Sequence, residues 1–157
     1  MSDLLSASGQ QKVASSTARL LEEAAFVFAA PVDEPAPFLS DPIEASLYFD
    51  GPSSGLFRLT AAPEFGEELA TALLGLGPGD SQAATLSEEA LRETLNMLAG
   101  VLLETWFGSQ ARCELGTPRS EVISAEVHEA RRNNARFAMS LLTDEDHRID
   151  LTVEVPA

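Results

Sequence analysis

Residues 86–107 read LSEEALRETLNMLAGVLLETWF, from Leu86 to Phe107. At about 100° per residue, Leu91, Leu95, Leu98, Leu102 and Trp106 gather on one side of a helix. A stripe that broad must be buried against another element. Thr85, with Glu88 three residues on, predicts a capping box at the start of this helix. Glu88 and Glu89 suit its positive end. Gly108 is the predicted stop. The opposite side collects Glu89, Glu93, Asn96, Gly100 and Glu104. Glu93 and Asn96 are three apart and therefore neighbours on that surface. Asn is a poor helix-interior residue because its amide competes for backbone groups. Gly100 inside the helix costs about 1 kcal/mol relative to Ala. Bare backbone beside a carboxylate and an amide would let another surface approach closely. By spacing alone, the same residues also read as ordinary solvated positions.

The stretches around this helix supply the surface it needs. Ile43, Ala45, Leu47 and Phe49 alternate with Glu44, Ser46 and Tyr48, which predicts a strand with one wet face. Gly51 to Gly55 is a turn, and Leu56 to Ala61 returns as a second strand. A second hairpin is predicted near the C-terminus. There Phe137, Met139 and Leu141 share one face, residues 143–146 turn, and Ile149, Leu151, Val153 and Val155 share one face again. Leu4 to about Ala30 has helical spacing in Val13, Leu20, Leu21, Ala24 and Phe28. Pro31, Pro35 and Pro37 end it in a stiff connector. A further helix is expected from Pro63 to about Leu76. Ala111 to Gly116 reads as a strand with Pro118 just beyond it. Arg119 to His128 is ambiguous, and the polar run Glu129 to Asn134 reads as a loop. Strands joined by tight turns make a largely antiparallel sheet, which long helices must cover. The fold class expected is α+β.

The length, 157 residues, fits one domain, 1–157, with an ordinary apolar fraction of 45%. A formal charge of −15 argues against nucleic-acid binding and against docking on an anionic membrane. The opening MSDLLSASGQQ has no basic segment followed by an apolar run, so no targeting segment is expected. With one cysteine, Cys113, no internal disulfide can form, and a reducing cytoplasm fits best. Cys113 reads as an inward-pointing core residue on a strand. His128 and His147 read as lying outside regular elements, without a catalytic or metal role, and no Cys/His cluster suggests a structural metal.

The Glu93-Thr94-Leu95-Asn96-Met97-Leu98-Ala99-Gly100 run, followed by Cys113-Glu114-Leu115-Gly116-Thr117-Pro118, resembles the CheC/CheX family of chemotaxis phosphatases, its CheX branch in particular. The family signature is a Glu, two residues, an Asn, and a Pro a little over twenty residues later at the end of a strand. The hairpin from Ile43 to Leu59, Leu73-Leu74-Gly75 and the C-terminal hairpin fall where the family has them. Glu89 and Val101 depart from the usual flanking residues, and the gap from Asn96 to Pro118 is about one residue short. Glu68-Leu69-Ala70-Thr71 stands before Gly75 as Glu93 to Asn96 stands before Gly100, but Thr71 lacks the amide, so a single site is expected.

The resemblance implies hydrolysis of the aspartyl phosphate on a CheY-like receiver domain of two-component signalling. Asn96 would orient the attacking water and Glu93 would pair with the receiver's active-site Lys. Gly100, with Glu89 and Glu104 at the rim, would contact the partner. No cofactor of its own is implied, since the receiver would supply Mg²⁺. A homodimer is implied as well. The same fold also serves non-catalytic adaptors and parts of flagellar or sensory assemblies, and that alternative stays open.

Overall fold

The computed structural model describes residues 6–155 of the chain. The two predicted hairpins form as expected. β2 (Ile43–Asp50) pairs antiparallel with β3 (Gly55–Ala61), and β6 (Phe137–Thr143) with β7 (Arg148–Glu154). β7 then pairs with β3, joining the hairpins into one sheet. Three short strands finish the edges: β1 (Ala29–Pro31) on β6, and β4 (Glu114–Leu115) and β5 (Arg119–Val122) both on β2. Among the described residues the sheet has seven strands in the order β1-β6-β7-β3-β2-β4, with β5 beside β4 on β2, and every pairing is antiparallel.

One face of this sheet is the core. Ala45, Leu59, Leu151 and Met139 stand opposite one another across four strands, all buried. Three helices cover that face: α1 (Ala7–Ala25), α2 (Pro63–Leu73) and α4 (Ser87–Phe107), with the single turn α3 (Gln82–Thr85) leading into α4. On α4, Leu91, Leu95, Leu98 and Leu102 are each 1% exposed or less. Burying each contributes about 1.5–3 kcal/mol, which fixes the rotation of the helix. Trp106 is half-buried and stacks on Phe57 with ring centroids 5.5 Å apart. α2 meets the start of α4 almost backbone to backbone, since a Cβ on Gly66 would lie 2.8 Å from that of Ser87.

Several expectations are corrected. The first helix stops at Ala25, where Phe26 turns left-handed (φ 56°), and the residues beyond it become β1 rather than more helix; the expected start at Leu4 lies outside the described residues. α2 ends three residues early, at Leu73. Thr85 belongs to α3, and Leu86 caps α4 without a side-chain hydrogen bond, so the capping box does not form. The strand expected over Ala111 to Gly116 shrinks to two residues. Glu129 to Asn134, expected as a loop, join the ambiguous residues before them in α5 (Ala125–Asn134), whose N-cap Ser124 accepts from the Val127 amide at 3.1 Å.

α5 explains the largest departure, the burial of the supposedly wet face. Glu44, Thr60, Asp150 and Ser140 make a polar row across the outer side of the sheet, each 3% exposed or less. α5 roofs this row with polar side chains. His128, itself 1% exposed, donates from Nε2 to Asp150 Oδ2 at 2.6 Å, and Arg131 Nη1 donates to Glu44 Oε1 at 2.6 Å. Ser140 Oγ donates to Asp150 Oδ1 at 2.7 Å. Arg148 donates to the same carboxylate from Nε (3.0 Å) and Nη2 (2.7 Å) and reaches Glu129 at 2.8 Å. Its guanidinium also lies 4.4 Å over the Phe38 ring, which ties the proline-rich connector to the sheet. Burial pushes the Asp150 carboxyl upward, but the hydrogen bonds from His128, Arg148 and Ser140 outweigh it and hold the group below the usual carboxylate range.

Candidate functional site

The leucine stripe of α4 faces the sheet, so the other side of the helix faces out. Glu89, Glu93, Asn96, Gly100 and Glu104 are all exposed there. The helix brings together the residues read from the sequence as one surface. Among the described residues, the side chains of Glu93 and Asn96 have no hydrogen-bond or ion-pair partner. A Cβ built on Gly100 meets nothing within 4 Å. Gly100 is therefore not there to let a neighbouring part of the chain pack. Its bare backbone opens outward, beside the carboxylate and the amide.

The edge strand just past the motif's Pro is tied to this helix. β4 and β5 are two pieces of one edge strand, interrupted at Gly116-Thr117-Pro118, where the Gly116 amide still donates to Tyr48 O at 2.8 Å. Past Pro118, Arg92 Nη1 donates to Ser120 Oγ. That contact fixes the edge strand against α4 one residue before Glu93. Toward the other end, Gly100, Leu103 and Glu104 face Cys113 and Leu115 across an open groove of about 290 Å³. Cys113 precedes β4 rather than lying on it; it is half-buried, packs on the core and borders the groove. The surface thus offers an amide, three carboxylates and exposed main chain, with the half-buried Cys113 thiol at the border of the groove. It can hold a cation and orient a water or a polar group, and it needs a partner to bring the reacting bond.

Both histidines have partners away from this surface. His128 lies in α5, contrary to the reading outside regular elements. His128, Glu129 and Asp150 approach one another closely enough to ligate a metal, but the Arg148 guanidinium already bonds both carboxylates. His147 sits in the turn before β7, its Nδ1 3.0 Å from Glu68 Oε2, with Glu145 alongside. Glu68, the carboxylate of the motif's faint echo in α2, is thereby engaged, and Thr71 donates to Glu67 O at 2.9 Å. Sequence reasoning found neither cluster, because each joins residues about 20 to 80 positions apart with no local pattern.

No protein-family model and no curated protein sequence matches the chain. Solved structures do. A chemotaxis protein CheX from Desulfovibrio desulfuricans superposes with a TM-score of 0.65 at 15% identity, over 98% of this chain and 100% of that one. CheX in the CheX–CheY–BeF3–Mg complex from Borrelia burgdorferi gives a TM-score of 0.68 at 13% identity, over 94% and 97%. FliY from Thermotoga maritima gives 0.60 at 12% identity, over 97% and 92%. The antiparallel sheet with its covering helices has the CheC/CheX fold. No helix among the described residues is long and apolar enough to cross a membrane.

Proposed function

We propose that this chain, which has the fold of CheX, is a phosphatase for the aspartyl phosphate of a CheY-like receiver domain. The observation that supports this reading best is the side of α4 on which Glu93, Asn96 and Gly100 stand together, exposed and unused by the rest of the chain. Phosphoryl transfer asks mainly for positioning and electrostatics. A carboxamide donates and accepts at once, so Asn96 can hold one water in line with the phosphorus without adding negative charge. Glu93, one turn earlier on the same side, pairs with the receiver's lysine and sets the approach. Gly100 lets the receiver's surface come close, with Glu89 and Glu104 at the rim. Mg²⁺ comes with the receiver. The likeness to the CheX–CheY–BeF3–Mg complex supports the choice of partner.

The test is the decay of a phosphorylated receiver with and without the protein. Acceleration is expected, with Asn96→Ala losing about 100-fold or more of it and Glu93→Ala weakening docking as well. Unchanged decay across several receivers overturns the reading. A second reading has the same surface dock a receiver without hydrolysis; binding with unchanged decay would single it out.

A further inference from the structure

Two clusters among the described residues set a histidine beside two carboxylates, and only one of them already holds a cation. At His128, Glu129 and Asp150 the Arg148 guanidinium bonds both carboxylates. At His147, Glu68 and Glu145 no arginine or lysine forms an ion pair with either glutamate among the described residues. One ligand atom from each of these three side chains lies within 4.8 Å of the other two. The turn adds Asp144 and Asp146 on either side of Glu145, all three exposed. Carboxylates drawn together in so negative a segment repel one another, and a protonated imidazole would offset only one of them.

The fold, and not local sequence, makes the cluster. Glu68 comes from α2, and the other two come from the turn between β6 and β7. The His147 ring is held in place. It meets the buried Phe65 in a T-shaped contact with centroids 5.9 Å apart, and its backbone amide donates to Thr143 Oγ1 at 2.9 Å. The His147 and Glu68 side chains are 24% and 27% exposed, so an ion from solution can reach both. We propose that Glu68, Glu145 and His147 bind a divalent ion of the zinc class, with His147 Nδ1 and one oxygen of each glutamate as ligands and water in the fourth position. Nδ1 and Glu68 Oε2 are already 3.0 Å apart. A tetrahedral ion with bonds of about 2.0–2.1 Å spans about 3.4 Å between two ligand atoms, so a small parting admits it. The ion replaces the proton that now joins the pair, and that proton leaves to solvent. The imidazole selects this class of ion over Mg²⁺ and Ca²⁺, which prefer oxygen alone. Once bound, the ion fastens α2 to the β6–β7 hairpin across 79 positions of sequence. The unfolded chain has no such site, so binding adds directly to stability.

The site does not depend on the phosphatase reading, and its test reads metal binding alone. ZnCl₂ is titrated into the tag-free full chain in a non-chelating buffer, and the imidazole C–H signals are followed by NMR. The chain has two histidines, so each ring reports separately. The His147 signals are expected to shift and saturate at one equivalent with a Kd of about 10 μM or tighter, while those of His128 stay in place. Mg²⁺ at about 5 mM should move neither ring. Glu145→Gln, at an exposed position without a partner in the fold, should weaken Zn²⁺ binding about tenfold or more and abolish the rise in Tm that Zn²⁺ gives the parent. Asp144→Asn removes the same charge one residue away and should change the Kd by less than about threefold. Any of three results overturns the proposal: His147 signals unmoved by about 1 mM Zn²⁺, an unchanged Kd in Glu145→Gln, or an equal loss in Asp144→Asn, which would mean that the field of the turn and not ligation draws the ion.

Discussion

Asn96 and Asp150 sit at opposite extremes of the molecule, one wet and unpartnered, the other sealed under α5, and their substitutions separate function from stability. Asn96→Ala removes nothing that the fold uses, so its unfolding midpoint should match the parent within about 0.5 kcal/mol while receiver dephosphorylation is lost. Asp150→Ala strands His128, Arg148 and Ser140 in a dry site. Removing one partner of a buried ion pair typically costs about 3–5 kcal/mol, which urea unfolding would read directly. The Asp150 carboxyl is held below its ordinary range, so its contribution is present above the unfolded-state value of about 3.9 and is lost as pH falls through the lower folded-state value. The urea midpoint of the parent should therefore drop below about pH 4, and Asp150→Ala should lose that part of the slope. Of these two residues only Asn96 stood out in the sequence. Helical periodicity placed it on a face and its residue type made it odd there, whereas Asp150 lies within an alternating strand and reads as one more wet position. Its burial comes from α5 and Arg148, and no local spacing announces them.

Helix α4 was legible because one strong stripe decides its rotation, and its outer side follows by subtraction. Gly100 then gives a prediction with opposite signs. Since a Cβ there meets nothing, Gly100→Ala should stabilise the protein by about 1 kcal/mol in thermal or urea unfolding. The same methyl group should obstruct a docking partner and slow receiver dephosphorylation. A rise in stability without a fall in rate would show that the partner does not approach there. α5 was illegible for the converse reason. Its buried anchor is His128, and the contacts holding it are Arg131 to Glu44 and His128 to Asp150, so a search for apolar period finds nothing. β1 was hidden by its neighbours. Phe26-Val27-Phe28 extends the apolar pattern of α1, and only the left-handed turn at Phe26 redirects the chain into the sheet.

The whole molecule is built against its own charge. The 25 acidic and 10 basic residues leave it at −15, and six of the ten cations (Arg58, Arg119, Arg131, Arg132, Arg136 and Arg148) belong to the outer-face strands, α5 or their immediate flanks. Repulsion elsewhere is mostly at the surface, where salt screens it, while the buried pairs are screened far less. Raising NaCl from about 10 mM to about 500 mM is therefore expected to raise Tm; a fall would mean that exposed ion pairs outweigh the repulsion. The sheet order carries a further consequence. β7 lies between β6 and β3, yet it follows every other described element along the chain. On the ribosome, the first hairpin and the helices can form early, but β3 has no neighbour on its inner side until residues 148–154 leave the exit tunnel. Until then two strand edges wait open in a nascent chain, and translation that stalls or stops before Arg148 releases a product that chaperones and proteases should recognise as unfinished.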